Sequence, residues 1–112
     1  FVEHSPASRR ALVHNIEALG VDDKVTVLTM DATALPAASH AYDLALLDPP
    51  YDSGLADAAL EALAAKGWLT DSGLMVVETS RDDVITAPDG WDIEDRRAYG
   101  RGALSYLIRD DV

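Results

Sequence analysis

Cysteine is absent from the 112 residues, which removes disulfides and thiolate metal sites from consideration. The three histidines, His4, His14 and His40, have no ligand-like spacing, so no structural metal is expected. No apolar run approaches the roughly 20 residues that a membrane-spanning helix needs. The amino end carries no basic, apolar leader, so the expected location is cytoplasmic, with no membrane partner. Positive charge is scarce: 9 Lys and Arg stand against 20 Asp and Glu, a net charge of -11. This argues against a broad phosphate-binding face, because nucleic-acid affinity rests largely on neutralising phosphates. The one local basic cluster is Arg96, Arg97 and Arg101 around Tyr99. It suits either a substrate contact or a solvated hairpin edge whose charges discourage strand aggregation.

Hydrophobic residues make up 48% of the chain and charged residues 26%, enough apolar content for a core and too much for disorder. The chain opens on Phe1 rather than methionine, and Phe1-Val2-Glu3 reads as the tail of a strand. Residues 1–112 are therefore expected to form a single partial domain, truncated at its amino end, without repeats or internal linkers.

Ser5-Pro6 is a helix-start signal, Leu12, Val13, Ile16 and Leu19 recur at helical spacing, and Gly20 is a C-terminal stop. An amphipathic helix is predicted over 6–19. Lys24 to Thr29 holds a β-branched run of strand length, ending at Asp31-Ala32. Tyr42 to Leu47 is apolar on both alternating faces toward its end, as expected of a strand covered by helices on both sides. Asp52 or Ser53 would cap a helix carrying Leu55, Ala59, Leu60 and Leu63, closed by Lys66-Gly67. Leu74 to Glu78 is the next buried strand. Ser80 to Gly90 reads as a loop, and Trp91–Tyr99 and Ala103–Arg109 flank Gly100-Arg101-Gly102 as an antiparallel hairpin. The expected class is α/β: a mainly parallel sheet finished by a C-terminal antiparallel hairpin.

Asp48-Pro49-Pro50-Tyr51 follows a buried strand at the end where open α/β sheets place their ligands. An exocyclic base amine is a poor nucleophile because its lone pair is delocalised into the ring. Acceptors on its N–H groups favour pyramidal nitrogen, and the Asp48 carboxylate and Pro49 carbonyl are suitable acceptors. The prolines hold the turn with little conformational freedom, which is preorganisation rather than acid–base chemistry. Tyr51 would stack on a base presented outside its helix, worth about 1–3 kcal/mol. The plainer alternative is a rigid strand-ending turn with an aromatic packed beneath the next helix.

The tetrapeptide Asp48 to Tyr51 resembles the fourth motif of amino-group methyltransferases. With Asn15 to Gly20, Gly67-Trp68-Leu69 and Arg97 to Gly100, the chain is similar to the bacterial family that methylates a guanine exocyclic amine in small-subunit ribosomal RNA. That resemblance implies a Rossmann-like sheet, S-adenosylmethionine as cofactor, and ribosomal RNA or the assembling small subunit as partner. It also implies cofactor contacts from Glu3 to the ribose, from Asp31 and Ala32 to the adenine, and from Asp48 beside the reacting amine. Glu3 alternatively reads as a helix-cap carboxylate and Asp31 as a solvated strand-ending residue. The family's glycine-rich loop after its first strand has no counterpart among the seven glycines, so these residues alone are expected neither to bind cofactor normally nor to catalyse transfer. A DNA adenine or cytosine amino-methyltransferase and a non-catalytic α/β interaction domain are the competing readings.

Overall fold

The computed structural model describes residues 1–51 and 53–110. Helix α1 spans Pro6–Leu19, with Pro6 in its first turn and Gly20 closing it at φ 68, its N–H on the Glu17 carbonyl. The Ser5 side chain makes no capping bond. Its backbone N–H instead donates to Glu3 Oε1 at 3.0 Å, so the helix start is tied to the residue predicted to hold a ribose.

The strand expected over Lys24–Thr29 is reduced to one parallel bridge, Val2 to Leu28, with Asp22–Lys24 forming a 3₁₀ turn. Its backbone bonds are Glu3 N–H to the Leu28 carbonyl at 3.0 Å and Leu28 N–H to the Phe1 carbonyl at 2.8 Å. A ladder needs a continuous partner, and here the partner turns into α1 directly after Glu3 and His4.

Four strands make the sheet: β1 (Tyr42–Leu47), β2 (Leu69–Ser80), β3 (Trp91–Tyr99) and β4 (Gly102–Arg109), in the order β1-β2-β4-β3. β1 and β2 are parallel, with Leu44 opposite Leu74 and Leu47 opposite Val77, while both pairings of β4 are antiparallel. The sheet is thus mixed, and parallel pairing does not predominate among these strands. β2 begins five residues earlier than the apolar run suggests, because Leu69 already pairs with Tyr42 and the polar stretch between is accommodated by a register shift. Thr70 anchors that irregularity, its hydroxyl donating to Asp43 at 2.9 Å. The hairpin turns at Gly100-Arg101, where Gly100 takes φ 53, a left-handed value that suits glycine.

Helix α2 (Leu55–Ala65) crosses between the parallel strands. Gly54 occupies its N-cap, and Ser53 serves from one residue earlier by accepting the Leu55 N–H at 3.2 Å. The alternative cap, Asp52, lies outside the described residues. α2 lays Leu60 onto one face of the sheet against Met75, Val77 and Leu107, all four fully buried. Trp68 and Trp91 close the ends of this core. The first donates its indole N–H to the Pro36 carbonyl at 2.9 Å, and the second lies under the Arg109 guanidinium at 4.9 Å.

The other face is less covered than expected. Leu44 is 51% and Leu46 74% exposed, and the only buried residue of α1, Ile16, stands outside the core cluster. β1 is therefore a strand packed on one side, where its sequence predicted two.

Candidate active site at the end of the parallel strands

β1 delivers Asp48, Pro49 and Pro50 at its carboxyl end. Continuing the register from Leu47 opposite Val77 puts Asp48 level with Glu78 of β2. The Pro50 carbonyl accepts the Ser53 hydroxyl at 2.7 Å, which fastens the diproline turn to the start of α2. No hydrogen bond among the described residues claims the Pro49 carbonyl.

A cleft of about 840 Å³ opens beside this turn. Asp48, Pro49 and Pro50 line it, and so do Glu3, Asp31 and Ala32. Six of the seven residues singled out from the sequence therefore share one cavity, although they come from three separate segments. Its remaining wall is largely apolar, with Leu28 and Leu44 to Leu47 among the lining residues. Glu3 spends one oxygen on Ser5. Asp31 spends Oδ1 on the backbone N–H and hydroxyl of Thr33, at 2.8 and 2.7 Å. Those two bonds, the backbone one first, hold the Asp31 carboxyl below the usual aspartate range. It is thus an ionised, oriented acceptor at the cleft wall.

Tyr51 is the exception. It does not line the cleft but turns toward β2, its hydroxyl 3.4 Å from Glu78 Oε2. Tyr99, at the end of β3, donates to the same oxygen at 3.1 Å. Desolvation first, and then the Glu78 carboxylate, push both phenols above their ordinary value, with Asp48 adding to the effect on each. Sequence reasoning did not single out Glu78. Its signal was a carboxylate ending the apolar run Leu74 to Val77, and only the pairing of β1, β2 and β4 shows what it faces.

The arginine cluster is drawn into the hairpin. Arg96 Nη2 donates to the Arg81 carbonyl at 2.6 Å, and Arg97 pairs with Asp95 at 3.0 Å. Two of the three guanidiniums thus have intramolecular partners, and the Arg97 side chain remains 74% exposed.

A family model described as Conserved hypothetical protein 95 matches residues 1–108. The chain belongs to this family. Among curated proteins similar to this Conserved hypothetical protein 95 chain is Ribosomal RNA small subunit methyltransferase D of Haemophilus influenzae, 25% identical over 96% of the chain and 57% of the relative. The protein of the same name from Escherichia coli K12 is 24% identical over 97% of the chain and 56% of the relative. The chain spans just over half the length of these relatives. A solved Escherichia coli structure described as a candidate methyltransferase superposes with a TM-score of 0.83 at 24% identity, over 99% of this chain and 63% of that one. A mitomycin 7-O-methyltransferase superposes at 0.69 with 14% identity, over 97% of this chain and 41% of that one. The fold is the Rossmann-like methyltransferase fold expected from the sequence.

Proposed function

We propose that this chain carries the amine-presenting part of an S-adenosylmethionine-dependent methyltransferase site that acts on a guanine exocyclic amine of small-subunit ribosomal RNA. The observation that carries the reading is the shared cleft: the Asp48 to Pro50 turn opens into the same cavity as Glu3, Asp31 and Ala32. The names of the curated relatives favour ribosomal RNA over DNA as substrate. Protein of that kind works in the cytoplasm, and no helix among the described residues is long and apolar enough to cross a membrane.

The residues present fit the donor. Three carboxylates around an apolar-walled cavity suit a molecule with ribose hydroxyls, an amino group and a cationic sulfur. Glu3 would accept from the ribose, Asp31 from the adenine amine, and the Ala32 backbone would meet the ring. When bound, S-adenosylmethionine supplies an electrophilic methyl on sulfonium sulfur.

The chain's own part is to prepare the nucleophile. Asp48 accepts one N–H of the base amine and the Pro49 carbonyl the other, which pulls the nitrogen lone pair out of conjugation and aims it. With the donor bound, the methyl would pass to that nitrogen, and the resulting ammonium, itself strongly acidic, would release its proton to solvent without a dedicated base. Tyr51 stacks on the base. Because Asp48 acts where charge develops, Asp48→Ala in the intact protein is expected to lower kcat by roughly 10²–10³-fold, with a small change in melting temperature. Transfer of labelled methyl to small-subunit RNA, to assembled subunits and to naked DNA measures both rate and substrate. Undiminished turnover by the Ala variant would refute the assignment of Asp48, and preference for naked DNA that of the substrate.

A further inference from the structure

Two tyrosine hydroxyls converge on one carboxylate oxygen. Tyr51 belongs to the loop after β1 and Tyr99 to the end of β3, yet both reach Oε2 of Glu78, at 3.4 and 3.1 Å. Glu78 itself sits on β2 one residue past the last pairing with β1, at Val77, and its backbone is held by β4 opposite Leu104. The two rings are about half exposed, at 45% and 49%, so packing alone does not fix them.

A second observation points the same way. Gly102 pairs with Tyr99 across the hairpin, and a Cβ at that position would lie 2.8 Å from the Tyr51 hydroxyl and 3.4 Å from the Tyr99 ring. Its φ is not in the left-handed region, so backbone conformation does not demand glycine here. The space is what matters: without a side chain at 102, Tyr51 can lean across the sheet end to its carboxylate.

We propose that Glu78 is a positioning residue of the transfer site: its carboxylate clamps the Tyr51 hydroxyl, with Tyr99 as the second tether and Gly102 as the gap that admits the ring, so that Tyr51 is held in one stacking orientation beside Asp48. The inference rests on the functional reading above and extends it to three residues outside the diproline turn. An exposed tyrosine samples several rotamers, and a base that must stack on it before reaction has to select one of them. Anchoring the hydroxyl to a sheet-held carboxylate removes that selection.

The test uses the intact protein with Glu78→Ala, Glu78→Gln, Tyr99→Phe and Gly102→Ala, assayed for methyl transfer and melting temperature. Glu78→Ala is expected to lower kcat on the order of tenfold to a hundredfold, as a displaced positioning group does, without changing KM for the methyl donor or the melting temperature. Glu78→Gln, which keeps an acceptor oxygen, is expected to recover most of that loss, and Tyr99→Phe to show a smaller one. Gly102→Ala is expected to lose activity, and adding Tyr51→Phe, which removes the clashing hydroxyl, to return it to the level of Tyr51→Phe alone. Full activity in Glu78→Ala, or a loss that follows the melting temperature and is not rescued by Gln, would overturn the proposal.

Tyrosine ring NMR provides a readout without turnover. With ¹³C-labelled tyrosine, Glu78→Gln is expected to move the Tyr51 and Tyr99 resonances together and to leave Tyr42 in place. Failure of either ring to respond would overturn the clamp. A wild-type protein unreactive on every RNA would instead sink the methyl-transfer reading, while the spectra still decide whether the clamp exists.

Discussion

Ser105 and Thr79 are buried in the core face of the sheet, at 0% and 3% exposure, and their hydroxyls find no hydrogen-bond partner among the described residues. A buried hydroxyl without a partner loses its hydration and gains nothing in return, a penalty of about 1–3 kcal/mol. Ser105→Ala is therefore expected to leave stability unchanged or raise it by up to about 1 kcal/mol, as read by urea denaturation. A clear loss would show that Ser105 has a partner, such as a buried water. At the same scale the sequence is most informative where a residue's role is local: Pro6 starts α1 and Gly20 closes it through their own backbone. Glu78 and Gly102 were opaque because their roles exist only across strands, and no spacing along the chain records that Tyr51 and Tyr99 meet on one oxygen.

Among the elements, α2 and the face it covers hold the molecule together. Leu60 is fully exposed to the core and closed to solvent, whereas Leu46 on β1 is 74% exposed. Truncation to Ala removes the same atoms at both positions, so the difference isolates burial. Leu60→Ala is expected to lower stability by about 2–5 kcal/mol and Leu46→Ala by less than about 0.5 kcal/mol, measured by denaturant unfolding. Comparable losses at both would mean that something covers β1 in solution. Helix limits, the hairpin and β1 were legible because their periodicity and turn residues are self-contained. The strand expected over Lys24–Thr29 shrinks to a single bridge because β-branched residues state a preference, and a ladder also requires a partner of matching length. β2 starts before its apolar run for the converse reason: Leu69 finds a partner in Tyr42, which no local pattern in Thr70 to Gly73 announces.

For the whole molecule the dominant long-range term is its net charge of -11. Arg97 is paired with Asp95, and acidic residues still outnumber basic ones 20 to 9, so the folded chain repels itself. Adding salt shortens the screening distance from about 30 Å at 0.01 M to about 10 Å at 0.1 M. The melting temperature is accordingly expected to rise over that range, as followed by circular dichroism. A fall would mean that ion pairing, as between Arg97 and Asp95, outweighs the general repulsion.

The position of β1 at the margin of the sheet has a further consequence for amide hydrogen exchange. Successive N–H groups of a strand point to opposite sides, and β1 has a described partner on one side only, β2. Deuterium uptake along Tyr42 to Leu47 is expected to alternate, slow at amides bonded to β2 and fast at those pointing away. β4, enclosed by β2 and β3, should be uniformly slow. The time course of labelling would then trace the order of the strands across the sheet, and even protection throughout β1 would reveal a strand-like partner on its outer side.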